Sequence, residues 1–124
     1  MNYLEILIGT VIIAGYGMIW YTIFKNSWLK AAQLKEMKMD AKSGLLMVII
    51  SAITATGMSN LIGMQNITSI SEGALTGVLI GFFFCATVAA SNVLWLRKKA
   101  TLLFIDGLYY ITMLAIVGAF VAWF

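Results

Sequence analysis

Four runs of apolar residues, about 4–24, 44–64, 73–96 and 102–124, alternate with short polar stretches along the chain. Each run reaches the roughly 20 residues that a helix needs to cross the hydrocarbon of a bilayer. None shows the polar and apolar alternation of a membrane barrel, whose strands are about 10 residues long. The pattern predicts an all-α polytopic membrane protein, with four transmembrane helices bundled in one transmembrane domain over residues 1–124. The first run is not read as a signal peptide, because "MNYLEILIGT" has no basic leader, carries Glu5 and is followed by no small-x-small cleavage site.

The polar stretches set the threading. All eight basic residues fall in two of them: Lys25, Lys30, Lys35, Lys38 and Lys42 in the first, Arg97, Lys98 and Lys99 in the last. Short basic loops stay on the cytoplasmic side, so loops 25–43 and 97–101 are expected there, with both termini and the "QNITSISE" turn on the non-cytoplasmic side. The net charge of +3 is then a topology signal and points to no nucleic-acid partner. Membrane lipids are the expected partners. The first loop has helix-forming composition, Ser27 as a candidate N-cap and an apolar stripe through Leu34, Met37 and Ala41. That pattern predicts a helix along the membrane surface or a short solvated connector. Trp28 fits either as an interfacial anchor, and Trp20, Tyr21, Trp95 and Trp123 extend the aromatic belts.

Small residues predict how the helices meet. Gly73, Gly77, Gly81, Cys85 and Ala89 recur at every fourth position of the third helix, and Ser51, Ala55, Ser59 and Gly63 repeat the device in the second. Such ridges let backbones approach closely where lipid offers no hydrophobic drive for association. Gly15 to Gly17 in the first helix and Gly107, Ala115, Gly118 and Ala119 in the fourth give every helix a close-packing face. The ridges serve packing within the bundle, or one of them joins protomers of a homo-oligomer.

Composition narrows the chemistry. The chain is 62% hydrophobic and 10% charged, with one cysteine and no histidine. It can form no internal disulfide and is a poor host for a transition metal. P-loop and dinucleotide motifs are missing, and no serine has an obvious base, so neither an enzyme nor a cofactor is expected. Glu5 and Glu72 sit at helix ends where water is reachable, Glu72 favourably at a helix N-terminus.

Asp106 stands apart. Seven residues beyond Lys99, it lies about 10 Å into the fourth run at 1.5 Å per residue. A carboxylate at that depth must be protonated, hydrogen-bonded or wetted, and its default reading is a proton, cation or polar-solute site. Tyr109, Tyr110 and Met113 share its helical face, and Trp20, Tyr21 and Asn92 lie in the same half of the membrane. Three bland readings compete. Asp106 caps a shorter helix over 107–124, or locks the bundle through hydrogen bonds, or pairs with Arg97 or a nearby lysine.

The segments "YGMIWYTIFKNSWLK", "GALTGVLIGFFFCATVAASNVLW" and "LFIDGLYYITMLAIVGAFVAW" together resemble a bacterial family of small four-helix membrane proteins, the domain-of-unknown-function family 1761. Trp20, Tyr21, Phe24 and Trp28 match its pattern at the end of helix one, Asn92 its pattern in helix three, and Ile105, Asp106 and Tyr109 its opening of helix four. Thr22 and Val93 depart from it, as does the lack of a proline after Thr22. The resemblance implies the four-helix fold and a bacterial inner-membrane location, and it singles out Trp20, Tyr21, Asn92 and Asp106, but implies no activity. Small multidrug exporters have similar length, yet rely on a glutamate in mid-helix one, where Ala14 stands here. The expected function is an oligomeric binding or permeation site for a small cation, proton or polar solute at Asp106, with Asn92, Tyr109, Tyr110, Trp20 and Tyr21. The alternative is a structural or regulatory protein that binds lipid or a partner through its ridges.

Overall fold

The computed structural model describes residues 2–37 and 40–124; Lys38, counted above among the basic residues of the first loop, lies outside them. Among the described residues five helices follow one another: α1 (Tyr3–Ile23), α2 (Lys25–Ala32), α3 (Ala41–Met64), α4 (Ile70–Trp95) and α5 (Ala100–Trp123). Four of them, all but α2, are long and apolar enough to cross a membrane.

Three of the spans begin one to three residues ahead of the apolar runs because their starts are set by polar caps. Asn2, Asp40 and Ser69 accept backbone N–H bonds from Glu5, Ser43 and Glu72 at 3.2, 2.7 and 3.5 Å, satisfying donors that a helix start leaves open. The bond from Ser43 holds the Asp40 carboxyl below its ordinary value. This cap is therefore fully in place above the ordinary value and is lost as pH falls through the lowered one.

Three helices end in the same way. Gln33, Asn66 and Arg97 take φ values of 61°, 53° and 53°. The next residues, Leu34, Ile67 and Lys98, send their N–H groups back to Leu29, Ile62 and Val93 at 2.9, 3.2 and 3.0 Å. These are Schellman-type ends built without glycine. The first corrects the expected surface helix: it starts at Lys25, directly after Phe24 and ahead of Ser27, and stops at Ala32. The stripe of Leu34, Met37 and Ala41 therefore never forms on one helix.

The last helix is the centre of the bundle. α5 packs against α1, α2, α3 and α4, whereas α4 packs on α5 and meets α3 only marginally. The reason is visible in its two faces. Tyr109, Met113, Val117 and Val121 point to a core shared with Ile13, Ala55, Met58 and Ile62, while Gly118, Ala115 and Ala122 face the glycines of α4.

On that second face the backbones touch. A Cβ at Gly77 would collide with the Leu114 carbonyl oxygen, one at Gly73 with the Gly118 carbonyl, and one at Gly81 would lie 2.6 Å from the Ile111 Cα. The α4 ridge is thus consumed inside the protomer. Its regular spacing raises a geometric problem, because a four-residue repeat drifts about 40° per step around an α-helix. The segment Gly81–Ala86 winds as a π-helix. One extra residue there recovers about 100° of the drift, so Ala89, 7% exposed, still faces α5.

The second ridge is only half used. Ser51 and Ala55 are buried and Ser59 is half-buried, but Gly63 is exposed with nothing near its missing side chain. In α1, Gly17 packs closely and Gly15 faces open space.

Candidate functional site

Because α5 starts at Ala100, Asp106 is its seventh residue, inside the helix and not at its cap. That removes the reading of Asp106 as an N-cap. The side chain is half-buried where α1, α2 and α5 converge.

Two neutral donors reach the same carboxylate oxygen. Tyr21 Oη on α1 donates to Asp106 Oδ1 at 2.7 Å, and Trp28 Nε1 on α2 donates to it at 3.1 Å. The two rings meet edge to face with centroids 6.0 Å apart. Among the described residues Oδ2 accepts no hydrogen bond and is not buried, and Asp106 has no basic partner. Pairing with Arg97 is not formed.

An aromatic floor supports this clasp. Tyr109, 6% exposed, stacks on Tyr16 with centroids 5.8 Å apart and 13° between planes. It also packs against Tyr21, Tyr110 and Trp20 at 5.1, 5.5 and 6.3 Å. Its hydroxyl lies over Gly17, where a Cβ would come within 3.0 Å. Trp20 Nε1 donates to the Ile105 carbonyl at 3.1 Å, and the hydroxyls of Tyr16 and Thr112 bond at 2.6 Å. α1 and α5 are therefore joined at three levels: Tyr21 to Asp106, Trp20 to Ile105 and Tyr16 to Thr112. Beyond the last of these, Ile13, Met58, Ile62, Val117 and Val121 fill the interior.

Of the six expected site residues, Asp106, Tyr21, Trp20 and Tyr109 come together, and Tyr110 borders them through Tyr109. Asn92 does not join: it is exposed on α4, and no hydrogen bond links it to Asp106. The π turn at Gly81–Ala86 precedes Asn92 along α4, which adds to the difficulty of placing that residue from a regular helical count.

The residue that sequence reasoning left out of the site is Trp28, read there as an interfacial anchor and as part of the family's helix-one pattern. The signal was present in the spacing of Trp20, Phe24 and Trp28. One face carries all three if the helix runs on past Ile23, and Trp28 N does bond to the Phe24 carbonyl at 2.8 Å. The far end of α2 is fixed too. Ala31 and Ala32 are buried, and the Ala31 carbonyl accepts from Lys99 N at 3.5 Å, which brings the two basic loops together.

Chemically, the clasp is a carboxylate with one oxygen held by uncharged donors and the other accessible. Neutral donors stabilise the charge without cancelling it. No curated protein and no solved structure matches the chain. The profile of a family described as "Protein of unknown function (DUF1761)" matches residues 4–122, which include the clasp and the α4–α5 ridge, and the chain belongs to that family.

Proposed function

We propose that the protein is a multi-pass protein of the bacterial cytoplasmic membrane that binds a proton or a small cation at Asp106 and so sets the position of α2. The observation that carries this reading is the division of the carboxylate: Oδ1 is shared by Tyr21 and Trp28, while Oδ2 has no partner among the described residues. A carboxylate in low dielectric whose partners are all neutral keeps a full charge to satisfy, and a proton or small cation is its natural complement. The concentration of basic residues in 25–42 and 97–99 supports placing α2 and the clasp at the cytoplasmic face, with both termini opposite.

Passage across the membrane, where it occurs, runs between protomers of a homo-oligomer, because the interior of one protomer beyond Thr112 is filled with apolar side chains. Proteoliposomes loaded with a pH-sensitive dye and a panel of monovalent ions test this. Flux in the wild type that disappears in Asp106→Asn supports the permeation form of the proposal. Absence of flux from both rules that form out.

A second reading is favoured by one observation, that Trp28 belongs to the short helix α2 and not to one of the four candidate spans. Asp106 then acts as a latch that docks α2 onto the bundle, and the protein is regulatory or structural. Docking through the α4 ridge is not part of this reading, since Gly73, Gly77 and Gly81 are covered by α5.

A further inference from the structure

At the end of the bundle opposite the basic loops, the first turn of α1 and the last turns of α3 flank an open cleft of about 400 Å³ lined by Asn2, Glu5, Ser59, Asn60, Gly63 and Met64. Glu5 is not a free terminal carboxylate. Ser59 Oγ donates to its Oε1 at 2.5 Å, a bond from α3 to α1 that fixes the carboxylate against the cleft. Its other oxygen and the Asn60 amide make no hydrogen bond among the described residues, and Asn2 uses only its Oδ1, to cap Glu5 N. No described lysine or arginine lies at this end, because all of them fall in 25–42 and 97–99.

We propose that this cleft binds a primary ammonium group, carried by an aminophospholipid headgroup or by a small soluble amine. An ammonium group presents three donors and no acceptor. Glu5, Asn60 and Asn2, which line one opening, carry three acceptors in Glu5 Oε2, Asn60 Oδ1 and the remaining lone pair of Asn2 Oδ1. The fixed carboxylate supplies the charge for a charge-assisted bond. No aromatic ring lines the cleft, so a trimethylammonium group, which is held by ring faces, finds no matching surface. One carboxylate is also a poor match for calcium, which takes six to eight oxygen ligands. Met64, 81% exposed, ends α3 at this mouth and gives it one apolar edge, where the glycerol and acyl part of a lipid would lie.

The test uses the full chain in nanodiscs of phosphatidylcholine and phosphatidylglycerol doped with phosphatidylethanolamine, with retained lipid read by native mass spectrometry. Retention of phosphatidylethanolamine over phosphatidylcholine by about tenfold is expected, together with loss of that preference in Glu5→Gln, which keeps the acceptor for Ser59 and removes the charge. Asn60→Ala alters an exposed side chain and is expected to lower the preference several-fold while leaving the helical circular dichroism unchanged. Free ethanolamine separates the sources. If it protects the wild type, and not Glu5→Gln, against thermal unfolding while lipid retention shows no preference, the occupant is a soluble amine at the same site. Equal retention of both lipids with no protection by ethanolamine overturns the proposal, as does a preference that survives both substitutions.

Discussion

Asp106 Oδ1 is the point where the first transmembrane helix, the short helix α2 and the central helix are tied together, and its two bonds differ in what they hold. Tyr21 reaches it from within a span already joined to α5 by Trp20 and Tyr16, so Tyr21→Phe removes one bond among several. Trp28 is the only residue of α2 bonded to it through a side chain among the described residues. Both Phe variants are expected to lower the thermal stability of the detergent-solubilised protein by about 1 kcal/mol. Only Trp28→Phe should increase proteolytic cleavage within 25–42, because only it releases α2. Equal cleavage in the two variants would show that Trp28 does not hold the helix. At this scale Asp106, Tyr21, Trp20 and Tyr109 were legible in the sequence, since a carboxylate at membrane depth demands polar partners of the same half. Trp28 was not, because a tryptophan just past a span reads as a belt residue until the one-residue joint at Phe24 is known.

Between elements, the closest packing is between α4 and α5, where carbonyl groups occupy the space that a side chain on α4 would need. Gly77→Ala drives a methyl into the Leu114 carbonyl and is expected to cost about 1–3 kcal/mol. Gly57→Ala, facing open space on α3, is expected to be neutral or stabilising by up to about 1 kcal/mol. Thermal unfolding of the two in one detergent checks the ranking, and equal effects would contradict the packing. The helix ends give the opposite sign: Gln33 is left-handed with a Cβ, so Gln33→Gly is expected to stabilise the end of α2 by about 1 kcal/mol. The ridge itself was plain from its four-residue spacing. The sequence alone did not say whether α5 or a second protomer would cover it. Nor did it reveal that a π turn keeps Ala89 in line, since a winding change leaves no mark in a run as uniform as "GFFFCA". The spans were legible from length and hydropathy, while their starts were displaced by caps at Asp40 and Ser69 that only local hydrogen bonding fixes.

Over the whole molecule, a carboxylate clasp lies at each end: Asp106 with Tyr21 and Trp28 near the basic loops, Glu5 with Ser59 at the other. The threading proposed for these ends is checked by labelling single cysteines in a Cys85→Ala background. A cysteine in the "QNITSISE" turn should react with an impermeant reagent from outside the cell, and reaction only from inside would invert the orientation. The proposed function rests on Asp106 holding α2 as a charged acceptor and releasing it when the charge is taken up. Protonation removes the charge that strengthens both bonds, so acid should loosen α2 in the wild type, whereas Asp106→Asn should be indifferent to pH. The most direct test is fluorine NMR of the protein labelled with 5-fluorotryptophan in lipid nanodiscs, with the four tryptophan signals assigned by substitution. A Trp28 signal that moves with pH in the wild type and stays fixed in Asp106→Asn is the predicted result; a Trp28 signal that does not titrate in the wild type, or titrates alike in both, would contradict it.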